Sequence, residues 1–199
     1  MKRLLIAAIA ALGLAACQGA PEYANRAEAI LAQIHNPKSD YVVVACHRGD
    51  WRNFPENSAL AIESVIKMGA DIMELDIKMS KDSVLVLSHD LTLDRCTNGK
   101  GPVSDYTWEE SKKFKLKRAH GVAIDTCRIL TLEEALWICK DRICVNVDHG
   151  YEYYDQVLEI SERLGVTDQL LIKGKRSIDV VAAHEAKHEH NMMYMPIVD

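Results

Sequence analysis

Acidic and histidine side chains recur at the ends of the apolar segments of this chain. His47 directly follows one apolar, β-branched segment, and His89 ends another. Between them, strand-like alternation places Glu74 and Asp76 on one face and uniformly apolar residues on the other. Two neighbouring carboxylates repel each other and resist burial unless a cation joins them. Oxygen-only ligands favour Ca²⁺ or Mg²⁺, so the pattern predicts a hard-cation site.

The two histidines can share acid–base chemistry because imidazole titrates near neutral pH. Arg48 follows His47 and offers a planar fork for phosphate oxygens. A cation, an arginine and a histidine pair together suit phosphodiester cleavage. A solvent-facing strand with scattered charges is the alternative, and the uniformly apolar opposite face argues against it. The sequence leaves open which histidine is the acid and which is the base.

These side chains are positioned by alternating strands and helices. We predict six strands, at 41–46, 71–79, 84–89, 143–148, 169–173 and 192–198. Helices are predicted at 27–34, from 57 or 58 to 68, and at 132–140, 153–164 and 178–190. The repeated β-then-α order indicates an α/β fold with parallel strands, whose sites lie at the C-terminal strand ends.

Composition excludes several classes of protein. The chain has 199 residues, 48% hydrophobic and 27% charged, which is typical of one globular domain or two small ones. The formal net charge of −5 lacks the basic footprint of a nucleic-acid binder, so we expect no nucleic-acid partner.

The N-terminus resembles an export signal. Lys2 and Arg3 precede an apolar stretch that is too short to span a bilayer and ends at Cys17 in a lipobox-like run. We predict a signal peptide at 1–16, lipidation of Cys17, and a tether over 17–25. The protein is then exported and lipid-anchored to a membrane of the bacterial cell envelope, on the periplasmic or surface side. An ordinary cleaved signal with an incidental Cys17 is the alternative.

Five further cysteines remain, an odd number that leaves at least one thiol unpaired. A bridge between Cys96 and Cys127, which flank one loop-like segment, is one interpretation. Buried free thiols are the other.

Several short motifs agree in order and spacing with a known family. The sequence resembles the glycerophosphodiester phosphodiesterases, a TIM-barrel family in the phosphatidylinositol phospholipase C-like group. The matching stretches are His47-Arg48-Gly49, Pro55-Glu56-Asn57, Gly69 to Asp76, Ser88-His89-Asp90, Asp94-Arg95, Asn98 to Gly101 and Thr131 to Leu136.

The resemblance implies roles for individual residues. His47 and His89 match the acid–base pair, Glu74 and Asp76 match metal ligands, and Arg48 matches a phosphate-contacting arginine.

Two positions depart from the family pattern. The third metal carboxylate is usually a glutamate, and here the fourth strand offers Asp148. The family often has a lysine two residues later, where this chain has Gly150. We expect Lys173, at the end of the fifth strand, to supply the missing positive charge at the phosphate.

The resemblance further implies metal-dependent hydrolysis of glycerophosphodiesters to glycerol 3-phosphate and an alcohol. It assigns 26–199 to a (β/α)₈-type barrel with an insertion at about 91–128. Such barrels typically need about 250 residues, so we expect this chain to be incomplete after the sixth strand. The alternative function is a non-catalytic surface lipoprotein that binds phospholipid head groups or a protein partner.

His184 and His188 share one face of a predicted helix. Because no acid is positioned as in a zinc protease, we interpret them as surface residues.

Overall fold

The computed structural model describes residues 22–119 and 121–198. The strands are β1 (Ala45–His47), β2 (Ile72–Met79), β3 (Leu85–Leu87), β4 (Lys115–Arg118), β5 (Val122–Arg128), β6 (Cys144–Asp148), β7 (Leu170–Gly174) and β8 (Met193–Pro196). The α-helices are α1 (Arg26–Ile34), α2 (Ala59–Met68), α3 (Trp108–Ser111), α4 (Leu132–Cys139), α5 (Tyr154–Leu164) and α6 (Ile178–Glu185). The predicted signal peptide and Cys17 lie outside the described residues. Within the part of the chain that is described, no helix combines the length and the apolar character needed to cross a bilayer.

Five parallel strands form the central sheet in the order β1-β2-β6-β7-β8. Helices connect most of these strands, which confirms the predicted α/β class. The prediction is wrong for β3, which pairs antiparallel with the end of β2. The turn between them is a few residues long, with Ser83 at φ 62°, and a parallel pairing needs a crossover of a dozen or more residues.

The core lies between the sheet and its helices. Met73, Leu75 and Ile77 point from the apolar face of β2 and are at most 1% exposed. They share one cluster with α2, α4 and α5. The ends of α2 follow the sequence, because the Ser58 side chain caps its N-terminus and Gly69 ends it at φ 85°.

Hydrogen bonds and an ion pair from Arg26 hold helix α1 against the N-terminal end of β2. Arg26 donates from its two terminal nitrogens to the carbonyls of Gly69 and Ala70, at 2.7 and 2.6 Å. It also pairs with the buried Asp71 at 3.2 Å. These contacts fix the start of β2 and therefore the register of the carboxylates further along it.

The segment 91–128, predicted as an insertion without clear periodicity, contains α3 and a β4–β5 hairpin. The hairpin was not predicted from the sequence. Its apolar residues form a second core with Val86 and Leu93. This core holds the chain that follows β3 against the main sheet.

Several predicted elements are longer than the observed ones, most clearly the first strand and the last helix. The first strand was predicted as fully buried over 41–46, yet Tyr41 and Val42 are 49% and 78% exposed and the strand begins at Ala45. Among the described residues, β1 pairs with β2, and no other described strand pairs with its outer edge. The last helix ends at Glu185 rather than at residue 190.

The cysteines that the structure describes are free thiols: Cys46, Cys96, Cys127, Cys139 and Cys144. The interpretation as free thiols therefore holds in place of the Cys96–Cys127 bridge, although Cys46 and Cys96 are only half-buried.

Candidate functional site

Three carboxylates converge at the C-terminal ends of β2 and β6. The parallel register pairs Glu74 with Asn146 and Asp76 with Asp148. One carboxylate oxygen from each of Glu74, Asp76 and Asp148 lies within 4.8 Å of the others. Glu74 and Asp76 are 5% and 3% exposed. The two carboxylates predicted from strand alternation and the third from the family pattern thus lie together.

The electrostatics of this cluster favour the binding of a cation. Burial raises the pKa of Glu74 to about 7, and the neighbouring charge of Asp76 adds to the shift. Asn146 also has a buried side-chain oxygen, Oδ1, without a hydrogen-bond partner among the described residues. Three carboxylates and an unpartnered amide oxygen are the ligand chemistry of a hard divalent ion. The residues present therefore fit the cation that the family pattern implies.

Arg48, directly after β1, contacts this cluster through both its backbone and its side chain. It adopts a left-handed backbone conformation at φ 55°, and its N–H donates to Glu74 Oε2 at 2.8 Å. Its Nε lies 3.3 Å from Asp76 Oδ2 but is not aligned for a hydrogen bond. Asn57 donates to the same Asp76 oxygen at 2.9 Å. The guanidinium therefore lies beside the carboxylates, and its buried Nε–H lacks an aligned acceptor among the described residues.

His89 belongs to a connected network of charged side chains. Its Nδ1 lies 2.6 Å from Asp90 Oδ1. Arg95 bonds Asp90 through Nε at 2.6 Å and bonds both oxygens of Glu56 at 2.8 and 2.9 Å. Glu56 in turn pairs with Arg48 at 3.3 Å. The network links His89 to the arginine beside the carboxylates.

The state of Asp90 fixes the tautomer of His89. Hydrogen bonds from Arg95, and then from His89, hold the pKa of Asp90 well below its usual range. An ionised carboxylate can only accept, so Nδ1 of His89 is the donor. Its Nε2 is then the ring nitrogen available for proton exchange.

His47 and His89 reach the site by different routes. His47 ends β1 in register with Glu74, one strand away. His89 follows β3, whose antiparallel pairing returns the chain toward β2, and the neighbouring Ser88 N–H donates to the Asp76 carbonyl at 3.1 Å. The antiparallel β2–β3 pairing, which the sequence did not predict, brings His89 back to the level of the carboxylates.

Lys173 lies across the sheet from these groups. Its Nζ is 2.5 Å from Asp148 Oδ1. A side chain at Gly150 would be tightly packed, because a Cβ there would lie 3.1 Å from Ile172 and from Val147. A positive charge therefore contacts the third carboxylate from the adjacent strand.

Five polar residues of the site had no role assigned from the sequence: Glu56, Asn57, Asp90, Arg95 and Asn146. Four of them stand inside the motifs quoted above, so the motif match was the available signal. Their roles depend on long-range contacts, which motif order alone does not reveal.

The sequence matches the model of the Glycerophosphoryl diester phosphodiesterase family over residues 47–189, more than half of the chain. The chain belongs to this family. A Glycerophosphodiester phosphodiesterase from Caldanaerobacter subterraneus subsp. tengcongensis is 42% identical over 107 residues, 53% of this chain and 44% of that protein. One from Bacillus altitudinis is 34% identical over 137 residues, 65% of this chain and 56% of that protein. The chain thus spans about half the length of these relatives.

Solved structures of the family share the fold. A glycerophosphoryl diester phosphodiesterase from Parabacteroides distasonis matches with a TM-score of 0.76 at 28% identity, over 89% of this chain and 61% of that one. An Oleispira antarctica phosphodiesterase, solved in complex with the product sn-glycerol-3-phosphate, matches in fold with a TM-score of 0.63 at 22% identity, over 78% and 64% of the two chains. The TIM-barrel type predicted for this chain is confirmed.

Proposed function

We propose that this chain hydrolyses glycerophosphodiesters to glycerol 3-phosphate and an alcohol, with a divalent cation as cofactor. The convergence of Glu74, Asp76 and Asp148 at the strand ends is the observation that carries the proposal. The relatives named as glycerophosphodiester phosphodiesterases support the reaction class. The Oleispira fold neighbour, solved with sn-glycerol-3-phosphate, agrees with the proposed product.

The three carboxylates would hold Ca²⁺ or Mg²⁺. When bound, such an ion supplies Lewis-acid stabilisation of charge on a phosphate oxygen. Glu74 loses its proton when it binds the ion, because only the carboxylate form is a ligand. Asp148 also forms an ion pair with Lys173, so this ammonium neutralises part of the charge of the acidic cluster.

The histidines would move the protons. His47 takes a proton from the nucleophile, which is water or the glycerol hydroxyl beside the phosphate. His89 protonates the departing alkoxide, a poor leaving group that needs a general acid. Asp90 favours this role, because an ionised carboxylate at Nδ1 stabilises the imidazolium that donates from Nε2.

Arg48 and Lys173 would bind the non-bridging phosphate oxygens. Arg48 would contribute its guanidinium charge, because its Nε lies 3.3 Å from Asp76 beside the carboxylate cluster and a guanidinium is suited to phosphate oxygens. Lys173 adds a second positive charge from the opposite side of the carboxylate cluster.

We also propose that the chain acts at a membrane of the bacterial cell envelope, anchored through lipid on Cys17. The lipobox-like run that ends at this cysteine supports the anchor. Metabolic labelling with a radioactive fatty acid tests it, and Cys17→Ser is expected to abolish the label.

The reaction is tested by incubating the chain with a glycerophosphodiester and measuring glycerol 3-phosphate by a coupled assay. We expect release in Ca²⁺ or Mg²⁺, loss of release after chelation, and recovery when the ion is restored. Saturable substrate binding without turnover in either ion would favour the non-catalytic lipoprotein instead. Asp105→Asn, a change outside the site, serves as a preparation control.

A further inference from the structure

A second cluster of metal-ligating side chains lies on the outer helices, apart from the carboxylates of the proposed active site. His184 belongs to α6, and His188 follows in the turn after it. The acid that was missing from their helix is supplied by α5, whose first turn carries Asp155. One ligand atom from each of these three residues lies within 4.8 Å of the others.

Two of the three ligand spacings are already close to the spacing that a tetrahedral ion requires. Nε2 of His184 and Nε2 of His188 lie 2.9 and 3.3 Å from the same oxygen, Asp155 Oδ1. Ligand atoms bound at about 2.0–2.1 Å to a tetrahedral Zn²⁺ are about 3.3 Å apart. An ion can therefore enter with small side-chain adjustments, replacing the two histidine–carboxylate contacts.

The imidazoles are held by an aromatic stack. The His184 ring lies 4.8 Å from the buried Tyr154 ring and 5.2 Å from the His188 ring, centroid to centroid. The Tyr151 hydroxyl lies 3.4 Å from Nδ1 of His184. A partner at Nδ1 is how proteins orient a metal-binding histidine and keep its Nε2 lone pair for the metal.

We propose that Asp155, His184 and His188 form a zinc site. Two imidazole nitrogens and one carboxylate oxygen suit Zn²⁺, whereas Ca²⁺ and Mg²⁺ prefer oxygen ligands alone. The Asp155 side chain is 74% exposed, so water can complete the coordination. The bound ion ties the end of α6 and its following turn to α5. It thereby fixes the chain between β7 and β8 on the outside of the sheet.

The test is isothermal titration of Zn²⁺ into the chain in excess Mg²⁺, which occupies oxygen-only sites and competes weakly for imidazole. We expect one zinc ion per chain at this site. His184→Gln, His188→Gln and Asp155→Asn should each abolish the binding, while Glu74→Gln should leave it unchanged. His190→Gln is the matched control, because His190 lies on the same segment but pairs with Glu162.

A second variant separates binding from folding. Tyr151→Phe keeps the ring and removes the hydroxyl, and we expect zinc affinity to fall about 10- to 100-fold with the far-UV circular dichroism unchanged. Zinc should also raise the unfolding temperature of the wild-type chain but not that of His188→Gln.

Three results would overturn the site: no zinc binding, zinc binding retained in both histidine variants, or a sulfur-to-cobalt charge-transfer band when Co²⁺ replaces Zn²⁺. The last result would place the ion on cysteine thiolates. Because every readout is binding or stability, a failed phosphodiesterase assay leaves this test unaffected.

Discussion

Lys173 at the end of β7 and Asp148 at the end of β6 form an ion pair of 2.5 Å. The other two carboxylates of the site lie on β2, the next strand of the sheet. The pair brings a positive charge to the carboxylate that replaces the usual glutamate. At Gly150, where the family pattern often has a lysine, a Cβ would lie only 3.1 Å from Ile172 and from Val147. We propose that this charge takes the place of the lysine that the family pattern often has two residues after the third carboxylate.

Lys173→Met tests this compensation. We expect KM for the glycerophosphodiester to rise about 10- to 100-fold, the range for losing a hydrogen bond to a charged group. Steady-state kinetics measure the effect, and Lys187→Met, a change on the turn after α6, is the control. An unchanged KM would show that Lys173 does not bind the phosphate.

Replacing either histidine of the proposed acid–base pair should slow turnover. For His47→Ala and His89→Ala we expect kcat to fall about 10²- to 10⁴-fold, the usual contribution of general acid–base catalysis. His35→Ala, at the end of α1, is the matched control. Circular dichroism should show that all three variants stay folded. Activity like that of the wild type in either site variant would remove that histidine from the mechanism.

Asp90→Asn tests whether the network positions His89. The variant keeps an acceptor at Nδ1 but loses the charge that stabilises the imidazolium. We expect kcat to fall by about 10-fold or more, though less than for His89→Ala. KM should stay close to the wild-type value, because Asp90 acts through His89 and not on the substrate. A purely structural role would instead lower the free energy of unfolding and leave kcat of the folded chain unchanged.

The raised pKa of Glu74 predicts a pH-dependent stability for the chain without divalent ions. Its pKa is about 7 when folded and 4.5 in its ordinary state, so the unfolded chain releases the proton first. The free energy of unfolding therefore falls as pH rises from about 4.5 to about 7, and it levels off above that range. If the whole shift is expressed, the fall is about 3 kcal/mol.

Glu74→Gln should remove that slope. We expect the variant to be more stable than the wild type above pH 7 and equally stable near pH 4. Urea denaturation in the presence of a chelator measures the difference. Added Mg²⁺ should narrow the difference, because it stabilises the ionised wild-type carboxylate. A wild-type chain whose stability does not change over this range would contradict the raised pKa of the buried Glu74 carboxylate.

Local pattern was enough to predict the centre of the site. Strand alternation placed Glu74 and Asp76 on one face, and the observed β2 bears out this alternation with Met73 and Leu75 buried on the other. The helix limits at Ser58 and Gly69 followed from capping chemistry alone.

Long-range relationships could not be read from the same pattern. The antiparallel course of β3 depends on a short turn that the apolar periodicity does not distinguish from a crossover. The pairing of Arg95 with Glu56 spans 39 residues, and Asp155 meets His184 across 29. Such contacts depend on how the helices and loops pack, which no local window of sequence contains.

The divalent-ion dependence of turnover in variants of Asp148 tests the central claim most directly. Glycerol 3-phosphate release should saturate with Mg²⁺ or Ca²⁺ in the wild type. Asp148→Asn should need a much higher ion concentration, because a neutral amide replaces a charged ligand, while Asp148→Glu should stay close to the wild type. Release that is unaffected by chelation, or identical in Asp148→Asn and the wild type, would contradict a catalytic cation at this carboxylate cluster.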